Sequence, residues 1–143
     1  MNWKNEAIDH LNRYPAMAQA VKNIPKEITM LEHDAAGVKS IRPDIAFSSG
    51  QSGPRDDALI GNIVKRQALK TALEHARLWV STTEGALSIL APEEKLILER
   101  MYIYPEKGVI NRLCGELGVE QSSVYRRRDD ALYRFTMALY GAA

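Results

Sequence analysis

Gln121, Ser122, Ser123, Tyr125, Arg126 and Arg127 fall within one polar and strongly basic stretch, Glu120-Gln-Ser-Ser-Val-Tyr-Arg-Arg-Arg128. Their chemistry is that of recognition. A glutamine carboxamide can pair with adenine, and an arginine guanidinium with guanine, each through two parallel hydrogen bonds. Hydroxyls and the amides at a helix start suit phosphate oxygens. No residue types at catalytic spacing accompany them. Cys114 has no histidine near it and reads as a small core residue. The adjacent pairs Glu93-Glu94 and Asp129-Asp130 suit helix-start electrostatics and surface solvation.

Two short helices must position these groups. Gly118 supplies the turn, because the end of the first helix needs a residue that tolerates positive φ. Val109 opens that helix, and Ile110, Leu113 and Leu117 form its buried face. Cys114 is expected where the two helices approach closely, and Val119 fills the core from the turn. Val124 anchors the second helix, and Ala131, Leu132, Phe135 and Leu139 continue its buried face. Helical spacing then turns Gln121, Ser122, Tyr125, Arg126 and Asp129 outward. Arg127 flanks this face, and Arg128 leans toward the core with its stem packed. That layout is a helix-turn-helix, which sets one helix in the major groove of DNA. The plainer reading is two amphipathic helices with a basic, solvated face. Pro92-Glu-Glu-Lys95 starts a further helix, with proline at the first position and acids in the first turn, running to about Tyr104. A three-helix unit can bury the apolar faces that two helices cannot.

Upstream, Trp3, Ala7, His10, Tyr14, Met17, Val21, Ile24, Ile28, Leu31 and Ala35 alternate steps of four and three, a heptad seam. Pro15 and Pro25 interrupt it, which predicts one helix over about 2–13 and another over about 15–35, kinked or restarted at Pro25. Residues 37–55 carry turn and linker chemistry (Ile41-Arg-Pro43, Ser48-Ser-Gly-Gln-Ser-Gly-Pro54) and are expected to be mobile or threaded across the surface. Over 56–90 a second seam returns through Leu69, Leu73, Ala76, Val80, Thr83, Leu87 and Leu90. Leu59, Ile60, Ile63 and Val64 broaden its apolar face, and Gly85 marks a place for a break. The expected partner is the N-terminal helix in an antiparallel hairpin, or the same helix of a second chain. No strand alternation is evident. The expected fold is all-α, with an N-terminal helical hairpin or coiled-coil-like module, a long central helix and a C-terminal three-helix unit. Its divisions are 1–36, a linker over 37–55, a long helix over 56–90 and a C-terminal domain over 91–143.

Leu90-Ala-Pro-Glu-Glu-Lys-Leu-Ile-Leu-Glu-Arg-Met-Tyr102, with the turn motif and Ser122-Ser-Val-Tyr-Arg-Arg-Arg-Asp-Asp-Ala-Leu132, resembles region four of bacterial sigma factors. The resemblance covers about 90–139. The whole chain resembles phage transcriptional regulators of the RinA/ArpU type, with helical N-terminal part, variable linker, long helix and sigma-like C-terminus. This resemblance implies promoter binding, activation of phage genes and contact with RNA polymerase. Two residues depart from the sigma pattern. Glu120 replaces the Ser or Thr that caps the recognition helix, suiting the helix dipole but repelling a nearby phosphate. Arg128 replaces an apolar residue. A domain that melts promoter DNA, and with it a stand-alone sigma role, is not expected of these 143 residues.

Composition narrows the alternatives. Nineteen basic against eighteen acidic residues leave a net charge of +1, so a polyanionic partner must be recognised by local clustering. The apolar fraction of 45% suffices for a core. A single cysteine excludes an intramolecular disulfide, and no signal peptide or run of about 20 apolar residues is visible, so a cytoplasmic location without membrane contact is expected. His10, His33 and His75 lack companion ligands, so no metal site and no cofactor are expected. Gly50-Gln-Ser-Gly53 lacks the flanking elements of a phosphate loop. The reading is a non-enzymatic regulator binding double-stranded DNA, with homo-oligomerisation through the N-terminal helices allowed. A DNA-packaging small subunit and a protein-interaction adaptor that never touches DNA are the alternatives.

Overall fold

A computed structural model describes residues 2–41 and 54–141. Most of these residues are helical, with no strand among them. The elements in chain order are α1 (Trp3–Ile41), α2 (Pro54–Ser88), α3 (Pro92–Leu98) with a π-helical continuation (Glu99–Ile103), α4 (Val109–Leu117) and α5 (Gln121–Tyr140). No described helix is long and apolar enough to cross a membrane.

Helix α1 is a single element, which corrects the expected end near residue 13 and the restart at Pro25. An interior proline costs about 3 kcal/mol because it removes one hydrogen bond and crowds the preceding turn. The seam offsets that cost on both sides of each proline. Leu11 and Tyr14 beside Pro15, and Val21, Ile24 and Ile28 around Pro25, are buried or half-buried. At Pro25 the carbonyl also accepts the Thr29 hydroxyl at 2.9 Å. Gly37 to Ile41, assigned by sequence to the linker, are helical, as is Pro54 at the other end. The rest of the expected linker, residues 42–53, lies outside the described residues. Gly85 sits inside α2 without ending it.

The chain divides into two compact units. One comprises residues 19–77. Within it Ala35, Leu73 and Ala76 are buried, and the Asn62 side-chain amide donates to the Leu31 carbonyl at 2.8 Å, tying α2 to α1. The broad apolar face expected here is narrower than its composition. Leu59 is half-buried, whereas Ile60, Ile63 and Val64 are exposed.

The other unit joins residues 1–18 to 78–143 and is built on two apolar clusters. In the larger, Ala7 and Leu11 of α1, Ala86 and Leu87 of α2, and Leu90 meet Leu98, Ile103, Ala131, Leu132 and Phe135. The smaller gathers Ile97, Leu113 and Val124, with Val109, Ile110, Cys114, Leu117 and Val119 packed against it. Helix α3 serves both through adjacent residues, Ile97 to one and Leu98 to the other. Its π-helical continuation widens the next turn, the Tyr104 amide reaching the Glu99 carbonyl at 2.8 Å. Leu98 and Ile103, five residues apart, thereby return to the same cluster.

A closed hydrogen-bond ring fixes the first turns of α1 to α2 within this unit. The Trp79 indole N–H donates to the His10 carbonyl at 3.0 Å, and the Thr83 hydroxyl donates to the Trp79 carbonyl at 2.7 Å. With its proton used, the Thr83 oxygen accepts from His10 Nε2 at 2.7 Å, which sets the histidine tautomer. The imidazole stacks on Trp79 with ring centres 4.2 Å apart and meets Phe135 edge-on. Burial lowers the His10 pKa below its ordinary 6.5, against an opposing contribution from Asp9.

Candidate functional site

The polar stretch singled out by sequence opens α5. Its placement begins with the turn before it. Gly118 closes α4 at φ 65°, a left-handed conformation that costs an L side chain energy. Glu120 then sits in extended conformation as the N-cap of α5, and its carbonyl accepts the amides of Ser123 and Val124 at 3.1 Å each. The Glu120 carboxylate makes no capping bond. Val124 is fully buried in the smaller cluster and sets the rotation of the helix.

With Val124 inward, Gln121, Ser122, Tyr125 and Arg126 are exposed, and they form two pairs four residues apart on one face. Ser123 is half-buried beside them, and its hydroxyl accepts from Arg126 at 3.3 Å. Gln121 donates from Nε2 to Asn111 Oδ1 of α4 at 3.1 Å, so the exposed ends of the two helices meet. Sequence reasoning overlooked Asn111, whose separation of ten residues across a turn matches no helical spacing.

The three consecutive arginines occupy different environments. Arg126 is exposed. Arg127 reaches across to α3 and binds Glu93 at 2.6 Å. Arg128 binds its neighbour Asp129 at 3.0 Å and lies 5.0 Å from the centre of the Tyr125 ring. It also opposes the effect of burial at Tyr102, whose phenol pKa is pushed up by desolvation and pulled back by this guanidinium. Asp129, expected to face outward, is half-buried, because Arg128 and Lys4 (3.5 Å) both draw on its carboxylate.

Helix α3 braces this surface. The Glu94 carboxylate accepts the Ala91 amide at 3.2 Å, one half of a capping box, and Arg134 of α5 at 2.8 Å. Glu93 and Glu94 thus do more than favour a helix start: each also holds an arginine of α5. Arg100 of the π-helical segment binds Glu116 of α4 at 2.7 Å. Among the described residues no group of three His, Cys, Asp or Glu side chains is placed to hold a metal ion.

No protein family, curated protein or solved structure matches the chain.

Proposed function

We propose that the protein is a transcriptional regulator of the phage type that binds duplex DNA, with α4 and α5 acting as a helix-turn-helix and the first turns of α5 entering the major groove. One observation carries the reading. Gln121, Ser122, Tyr125 and Arg126 lie exposed together at the start of a 20-residue helix that follows a left-handed glycine turn, and Val124 anchors that helix from the opposite side. A recognition helix meets base edges with its N-terminal residues. Gln121 and Arg126 carry the two side-chain types best suited to adenine and guanine. Ser122, Ser123 and Arg127 flank them with groups suited to phosphate. The resemblance of 90–139 to sigma region four supports the same reading and adds RNA polymerase as a partner.

Selection of bound duplexes from a random pool tests it, and an enriched motif is the expected result. Arg126→Ala should weaken binding to that motif by about 1–3 kcal/mol at fixed salt. Affinity for the motif should also fall as salt rises, since phosphate contacts release counterions. A pool that yields no motif, together with partner binding that stays flat with salt, would favour the adaptor reading instead.

A further inference from the structure

We infer that Asn111 is a specificity-determining positioning residue, which fixes the amide of Gln121 in the orientation that reads adenine. The inference rests on the DNA-binding reading above and goes beyond it by assigning a role to α4.

A glutamine at the start of a helix has several rotatable bonds, and its amide can present either oxygen or nitrogen to a given point. Only one arrangement pairs with the major-groove edge of adenine: the oxygen must accept from the N6 amino group while a nitrogen hydrogen points at N7. Gln121 is the first residue of α5 and is exposed, so no packing selects its amide orientation. Asn111 does. Its Oδ1 accepts one hydrogen of Gln121 Nε2 at 3.1 Å. An oxygen can accept from the amide nitrogen and not from the amide oxygen, so with Asn111 Oδ1 turned to the contact, as it is here, only the nitrogen end of Gln121 meets it. Once it is made, Gln121 retains one N–H donor and its Oε1 acceptor, the pair that adenine requires.

Asn111 is itself held by rigid elements. It lies on α4 between Ile110 and the buried Leu113, both part of the smaller apolar cluster that also contains Val124. The helix backbones that carry the two amides are therefore referenced to one core. Fixing a side chain before binding removes part of the ordering cost and penalises the wrong base, since a locked amide cannot turn to suit it. Asn111 retains two Nδ2 donors beside the contact and need not touch a base to act.

The experiment uses the full chain and the motif selected from the random pool. Wild type, Asn111→Ala, Asn111→Asp and Gln121→Ala are titrated at fixed salt against the motif and its single-base variants. Circular dichroism verifies that the helical content is unchanged. Gln121→Ala should abolish a preference for adenine of roughly tenfold at one base pair. Asn111→Ala should reduce the same preference by about two- to tenfold and leave preferences elsewhere in the motif unchanged. Asn111→Asp keeps the acceptor oxygen, so it should retain the preference while its added charge weakens binding to all sequences alike. If Asn111→Ala keeps the preference that Gln121→Ala abolishes, the inference fails and the DNA-binding reading stands. If Gln121→Ala changes no position in an otherwise intact motif, the inference fails again, with DNA binding still intact. Absence of any selected motif overturns both.

Discussion

Four arginines on α5 offer a polyanion different things. Arg127 and Arg134 are bound to Glu93 and Glu94 of α3, and Arg128 is bound to Asp129, while Arg126 is exposed and donates to the neutral Ser123 hydroxyl. The Arg127–Glu93 pair is exposed, and pairs of this kind are worth roughly 0–1 kcal/mol, so a phosphate can compete for Arg127 at small cost. The triple-arginine run is thus one outward cation, one paired flank and one structural residue. His10 shows a different residue-scale effect. Its folded pKa lies below the unfolded 6.5, so the unfolded chain binds more protons between those two values. The stabilisation is complete above pH 6.5 and is lost as the pH falls through the folded value. Denaturant midpoints measured from pH 7.5 downward should therefore drop below pH 6.5, with a shallower drop in His10→Gln. Equal slopes in the two proteins would remove His10 as the cause.

At the scale of the element, the turn between α4 and α5 isolates a purely conformational cost. A Cβ built at Gly118 meets no atom within 4 Å, so Gly118→Ala adds no clash. Only the positive φ opposes it, by about 1–2 kcal/mol. Chemical denaturation should register that loss, and an unchanged midpoint would mean the turn readily adopts another conformation. Elements were legible wherever their signal was periodic. Every residue of both heptad seams, from Trp3 to Ala35 and from Leu69 to Leu90, is buried or half-buried. The starts of α3, α4 and α5 follow from Pro92, Val109 and Gln121 as expected. The prolines misled because their cost is local and visible in sequence, whereas the burial that outweighs it comes from other segments. The π-helical turn at Glu99–Ile103 gave no sign, since a spacing of five between Leu98 and Ile103 fits no regular pattern. The Glu93–Arg127 and Glu94–Arg134 pairs were hidden because their partners are distant in sequence.

Across the whole molecule, Phe135 carries the larger cluster. It is fully buried among side chains from α1, α2 and the π-helical segment, and it touches the His10 ring edge-on. Phe135→Ala should cost about 3–5 kcal/mol through lost burial and the cavity left behind. That is a large share of the roughly 5–15 kcal/mol typical of a domain, and the variant's unfolding midpoint in urea provides the measure. A loss below 1 kcal/mol would show that the cluster collapses around the gap. The unit that Phe135 organises is discontinuous, since residues 1–18 close a core otherwise made by 78–143. Ala7 and Leu11 leave the ribosome long before Leu132 and Phe135 have been synthesised. Until then the nascent chain must carry an apolar face without its partners, and this unit can complete its core only late in translation. A separately expressed C-terminal fragment would begin life with the same vacancy and never fill it.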